Sequence, residues 1–162
     1  MSNNIKTTLL FLKKDNKVLM IKHKRGWGKG KFNLPGGKVE ENETCLDNAI
    51  RETYDETGIN VKNTSLLGIL YFDGIKEQTI ENHVFVAEYD SGELSDEHEE
   101  VAPLWMDIDK IPYDNMWDDD RYWYLYLFTN KEFCLHMNFD ENGKVLDMKV
   151  LDFKKSVSNE SF

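Results

Sequence analysis

The stretch from Gly37 to Ile59, G-K-V-E-E-N-E-T-C-L-D-N-A-I-R-E-T-Y-D-E-T-G-I, constrains this chain more than any other. A glycine turn leads into a helix that Thr44 can cap, with Asp47 three residues on approximating a capping box. Gly58 stands where a left-handed C-cap is wanted, and Leu46, Ala49, Ile50 and Thr53 supply a buried stripe. Glu52 and Glu56 lie one helical turn apart with Asp55 between their rows, so three carboxylates share one side beside Arg51. Like charges so placed destabilise a bare helix by about a few tenths of a kcal/mol. A divalent cation would remove the repulsion, and clustered oxygen ligands suit hard ions such as Mg²⁺ or Mn²⁺. A solvated acidic helix face is the plainer reading of the same residues.

The spacing resembles the Nudix box, G-x5-E-x7-R-E-U-x-E-E-x-G-U with U aliphatic, which marks hydrolases of nucleoside diphosphates linked to another group. Gly37, Glu43, Arg51, Glu52, Glu56, Gly58 and Ile59 fall in register; Thr53 replaces an aliphatic residue and Asp55 replaces Glu. The resemblance implies an α+β Nudix fold, a mixed β-sheet flanked by helices as an α-β-α sandwich. It also implies a structural Glu43–Arg51 pair that ties loop to helix. Glu52, Asp55 and Glu56 would then face the substrate and hold Mg²⁺, or Mn²⁺ in its place, with the Gly36 carbonyl and Glu100. Of these, Glu56 is the first choice for the carboxylate nearest the attacking water, and Glu52 the second.

Composition agrees with a small-molecule enzyme. A chain of 162 residues with 40% hydrophobic content forms one domain with a sizeable core. Residues 1–153 are expected to form that domain and 154–162 a polar, frayed tail. The formal net charge of −10 argues against polymeric nucleic acid. It also makes a polyanionic nucleotide an awkward ligand unless cations bridge it to the acidic site. Cys45 and Cys134 show no metal or redox spacing and read as reduced thiols of a cytoplasmic protein. The apolar run Leu9 to Leu12 is too short for a signal peptide or a membrane span. The expected protein is a monomer.

Alternation places strands at Ile5–Leu12 and Lys17–Lys24, with a turn at Asp15-Asn16. Further strands are expected at Ser65–Phe72, His83–Tyr89, Val101–Met106, Phe133–Phe139 and Val145–Leu151, and a loop at Glu93–Glu100. Asp118 to Thr129 reads as a helix apolar almost all round and therefore largely buried.

Outside the box, two segments resemble the animal-type branch of the family, hydrolases of oxidised purine nucleoside triphosphates such as 8-oxo-dGTP. One runs from Lys24 to Asn33, the other from Ile111 to Trp123. Trp27, Leu34-Pro35, His23 and Asp118 depart from that branch. The resemblance assigns substrate contacts to Thr8, His23, Asn33, Gly37, Lys38, Phe72, Trp117, Asp119 and Asp120. The chemistry supports it: Trp117 offers a stacking surface, with Trp27 and Phe72 as further walls. Asn33 carries both a donor and an acceptor for a base edge, and its other reading is a turn residue before Gly36-Gly37. Asp119 and Asp120 facing one ligand cannot both ionise cheaply, so one would keep its proton and donate. Their other reading is a helix N-cap. The function expected is hydrolysis of 8-oxo-dGTP, with 2-hydroxy-dATP as a further substrate, to monophosphate and pyrophosphate. Another Nudix substrate, such as a dinucleoside polyphosphate or an ordinary nucleotide, is the alternative, ahead of a catalytically silent nucleotide-binding module.

Overall fold

A computed structural model of the protein describes residues 4–158, so the expected domain and tail extend at 1–3 and 159–162 beyond the described residues. The elements in order are β1 (Asn4–Lys14), β2 (Lys17–His23), β3 (Phe32–Asn33), α1 (Cys45–Thr57), β4 (Ile59–Ile75), β5 (Gln78–Gly92), β6 (Val101–Asp107), α2 (Asp120–Phe128), β7 (Phe133–Phe139), β8 (Val145–Val150) and α3 (Phe153–Ser158). The strands form a mixed sheet in the order β3-β2-β1-β5-β4-β7-β8, with β6 also paired to β2. β1 runs parallel to β5, and β4 parallel to β7.

The splaying of β1 from β2 positions the site. They pair only beside their turn, Lys13 with Val18 and Lys14 with Lys17. Farther along, the segment 35–39 fills the gap: Leu10 N–H donates to the Pro35 carbonyl, Thr8 N–H to that of Gly37, and Val39 N–H to that of Lys6, each at 2.9 Å. Gly36 makes this approach possible, because a Cβ there would lie 1.9 Å from the Thr8 carbonyl oxygen. At Gly37 it would lie 2.8 Å from Glu52 Cδ. The glycine pair thus lets α1 bring its carboxylates against β1.

The alternation of β1 divides the core in two. Leu10 and Leu12 face α1 and pack with Leu19, Cys45, Ala49, Ile59 and Phe85. Phe11 faces the opposite side, where α2 buries Trp123, Tyr124 and Leu127 against Phe72, Phe133, Leu135 and Met137. Helices on both faces of a mixed sheet give the expected sandwich. Both cysteines are buried free thiols, and no helix among the described residues is long and apolar enough to cross a membrane.

Several expectations need correction. β4 and β5 are far longer than Ser65–Phe72 and His83–Tyr89, and they meet in a tight turn at Lys76 and Glu77. Both residues have positive φ, 51° and 59°, although neither is a glycine or an asparagine. In α1, Ile50 is exposed, and Cys45, Ala49 and Thr53 form the buried stripe. Thr44 caps the helix by accepting from Asp47 N–H, and Gly58 adopts the left-handed conformation at φ 82°. One face of α2 reaches solvent through Tyr122 and Leu125. The segment from Lys154 is helical through Ser158, where Cys134 Sγ–H donates to Ser156 Oγ.

Candidate active site

A cavity of about 450 Å³ opens between the segment 33–37, the inner faces of β1 and β5, and the start of α2. Thr8, His23, Asn33, Gly36, Gly37, Glu56, Phe72, Trp117, Asp119 and Asp120 all line it. Of the remaining expected residues, Glu52, Asp55, Glu100 and Lys38 do not line it. Glu52 packs against Gly37, Asp55 and Lys38 face solvent, and Glu100 sits in the acidic loop.

At one end of the cavity, α1 splits its acids. The sequence expects Glu52, Asp55 and Glu56 to act together, but Arg51 takes two of them: its Nη1 lies 3.1 Å from Glu52 Oε1 and 3.2 Å from Asp55 Oδ2. The same guanidinium grips Glu43 with Nε at 3.1 Å and Nη2 at 3.0 Å. These bonds hold Glu43 down at about 2. Glu43 also accepts from Asn48 Nδ2, whose amide donates as well to the Lys38 carbonyl while its oxygen accepts from Thr8 Oγ1. The loop before α1 is therefore fastened to both α1 and β1.

Glu56 is handled differently. It is 7% exposed and accepts one bond, from Gly36 N–H at 2.9 Å. Burial pushes its carboxyl up to about 8, and the charges of Glu52, Asp55 and Glu100 push the same way. Glu52 is raised too, by burial first, with Arg51 opposing. Beside them His23 is lowered by burial, opposed by the charge of Glu100. The loop carrying Glu100 is tied back by Lys24, whose Nζ donates to the His98 carbonyl and pairs with Asp96 at 3.0 Å.

At the other end, α2 begins at Asp120 with Asp119 before it, yet Asp119 makes no capping bond. Its Oδ2 instead accepts from the Trp123 indole N–H at 2.9 Å. Burial raises Asp119 to about 6 and Asp120 well above the carboxylate range, and the charge of Asp119 adds to the latter. Asp120 Oδ2 has no partner among the described residues. Burial and mutual repulsion thus disfavour the doubly ionised state of this pair.

Asn33 lies on β3, where its Oδ1 accepts from Leu34 N–H at 2.8 Å and its amide nitrogen is left for the cavity. Trp117 has Trp27 against it, with centroids 4.4 Å apart and planes inclined by 32°. Lys76 caps Trp27 at 4.9 Å, and Lys31 lies 5.2 Å from the Trp117 centroid. Sequence reasoning missed Lys76, Thr7, Asn82 and Ile80 as lining residues. Lys76 was out of reach because nothing in Ile75–Gln78 announces a turn; Thr7 and Asn82 sit among other polar residues, Lys6 and Thr8 on β1 and Glu81 and His83 on β5, with nothing to single them out.

The family profile of the NUDIX domain matches residues 4–127. The chain belongs to the Nudix family. Among relatives of this Nudix hydrolase, the oxidized purine nucleoside triphosphate hydrolase of Mus musculus is 35% identical over 93% of this chain and 96% of its own length. The protein of the same name from Danio rerio is 35% identical over 88% and 92%. The crystal structure of a mutator MutT protein from Bacillus halodurans superposes with TM-score 0.78, covering 90% of this chain and 97% of that one at 24% identity, a likeness of fold.

Nudix hydrolases generally use divalent metals such as Mg²⁺. Among the described residues no three histidines, cysteines or acids form a ready-made ligand cluster. The residues nonetheless fit a cation, because Glu56 is a buried carboxylate whose ionisation is opposed by three acidic neighbours, Glu52, Asp55 and Glu100.

Proposed function

We propose that this Nudix hydrolase cleaves oxidised purine nucleoside triphosphates to the monophosphate and pyrophosphate, with Mg²⁺ or Mn²⁺ as cofactor. One observation carries the reading: the buried Asp119–Asp120 pair lines the same cavity as Glu56, with Trp117 beside it. A protonated carboxyl next to an ionised one offers a purine edge one donor and several acceptors. Exchanging the proton between them lets one site accept more than one oxidised base. Asn33 supplies a further amide, and Trp117 a stacking face worth about 1–3 kcal/mol. The likeness to two hydrolases of that substrate class over nearly the whole chain points the same way.

In this reading Glu52, Asp55, Glu56, the Gly36 carbonyl and Glu100 would hold the ions. A divalent ion held there would neutralise phosphate charge and lower the pKa of the attacking water. Glu56 takes the proton of that water, held in place by Gly36 N–H. Arg51 and Glu43 keep α1 in register with the loop, while Trp117, Asn33, Asp119 and Asp120 fix the base. The test is pyrophosphate release across oxidised and normal purine triphosphates, with Mg²⁺ and with chelator. Mg²⁺-dependent preference for 8-oxo-dGTP supports the reading. Equal or better turnover of ordinary nucleotides overturns it. Asp119→Asn and Asp120→Asn should each change the preference among oxidised bases and its pH profile.

A further inference from the structure

One polar pair on the cavity wall has no part in base or metal binding as described above. Thr7 on β1 and Asn82 on β5 are direct partners in the parallel ladder. Asn82 Nδ2 donates to Thr7 Oγ1 at 2.6 Å, and both residues line the cavity. Asn82 is only 5% exposed, and its Oδ1 has no partner among the described residues. The next residues on the same faces are apolar: Leu9 on β1, and Ile80 and Val84 on β5. A buried acceptor in an apolar wall costs stability unless something completes it.

The bonding capacity of the pair restricts what that can be. As drawn, Asn82 leaves an oxygen acceptor and Thr7 leaves a hydroxyl proton. With the amide turned over, Thr7 donates to Asn82, leaving amide protons and a hydroxyl lone pair. Either way the pair presents one donor and one acceptor side by side. A ligand hydroxyl, itself donor and acceptor, satisfies both; a carbonyl or a phosphate oxygen satisfies only the donor. Position agrees. Thr7 forms a bridge with Lys38, next to Gly37, and Thr7, Leu9 and Asn82 line the same cavity as Glu56 on the one hand and Trp117, Asp119 and Asp120 on the other. The sugar of a nucleotide lies between its phosphates and its base.

Given the nucleotide reading above, on which this inference rests, we propose that Thr7 and Asn82 form a subsite for a sugar hydroxyl. The subsite makes the protein selective for nucleotides that carry that hydroxyl. The experiment compares kcat/KM for 2′-deoxy, ribo and 2′,3′-dideoxy triphosphates bearing one oxidised purine, in wild type, Asn82→Val and Thr7→Val. Wild type should prefer one hydroxyl-bearing sugar over the dideoxy compound by about tenfold or more, and each variant should bring that ratio close to one. Thermal melting of each variant confirms folding, and Thr7→Val serves should Asn82→Val fail to fold. An unchanged ratio in a folded variant overturns the subsite while leaving the purine reading intact. Failure of wild type to turn over any purine triphosphate overturns both.

Discussion

At the α1 end of the cavity one guanidinium lies among Glu43, Glu52 and Asp55, whereas at the α2 end Asp119 accepts from an indole N–H and, among the described residues, the pair forms no ion pair, the charge of Lys31 only opposing the rise of Asp120. Both ends concentrate acidic side chains at the cavity or behind it. At the first, Arg51 is a fixed counter-charge that holds Glu43 ionised, while burial opposes a charge on Glu56. The second can stay compact by keeping a proton, since burial makes a second charge too costly. In the proposed reading the first end receives positive charge, and the second presents a hydrogen-bond pattern.

Breaking the α1 end should have the largest effect. Glu56→Gln should lower kcat by ~10²–10⁴ if Glu56 takes the water proton, measured as pyrophosphate release at saturating Mg²⁺. Without divalent ion the sign reverses for stability. The raised pKa of Glu56 means the folded state binds a proton that the unfolded chain releases near its ordinary value. Wild type should therefore lose stability as pH rises from about 4.5 through about 8, and Glu56→Gln should not share that loss, as pH-dependent thermal melts will show.

The α2 end predicts a second pH window. Asp119 raised to about 6 stabilises the fold fully below its ordinary value of 3.8, and that contribution fades as pH climbs past 6. Asp119→Asn should flatten the melting profile between those limits by ~1–3 kcal/mol, a tenfold change in proton affinity being worth about 1.36 kcal/mol. A smaller loss is expected on separating the guanidinium from its acids. Arg51→Met leaves Glu43 with the Asn48 amide and the Glu40 N–H and should cost ~1–2 kcal/mol by denaturant titration, discounted because Arg51 is partly exposed. The smallest effect belongs to the rim: Lys76→Ala removes a cation–π contact worth ~0.5–1 kcal/mol, so KM should rise about two- to fivefold.

The contrast also marks what could be read from sequence. β7 was legible to the residue because Phe133, Leu135, Met137 and Phe139 alternate without interruption, and α1 because Thr44 and Gly58 punctuate it. The β4–β5 hairpin was legible only in its middle, since Lys76 and Glu77 accept left-handed geometry that the usual turn residues would have advertised. Spacing placed three acids on one side of α1. It could not show that Arg51, already assigned to Glu43, would also turn to Glu52 and Asp55. The Asp119–Asp120 pair was visible as a pair, but its depth was not: only the packed fold shows Asp119 declining the cap and taking the indole instead. Asn82 carried no signal at all, because one amide inside a strand looks the same whether it faces solvent or a ligand.

The strip of chain wedged into β1 has a consequence for how such a protein can change. Because Thr8 and Leu10 are hydrogen-bonded to that strip, Asn33, which lines the cavity, and Gly36, which holds Glu56, lie on one backbone segment anchored to β1, a strand advancing by about 3.3 Å per residue. Their separation is a length set by peptide geometry and is indifferent to side-chain choice. In the proposed reading, substitutions along the walls would retune which compound is accepted while the scissile bond stays registered to Glu56.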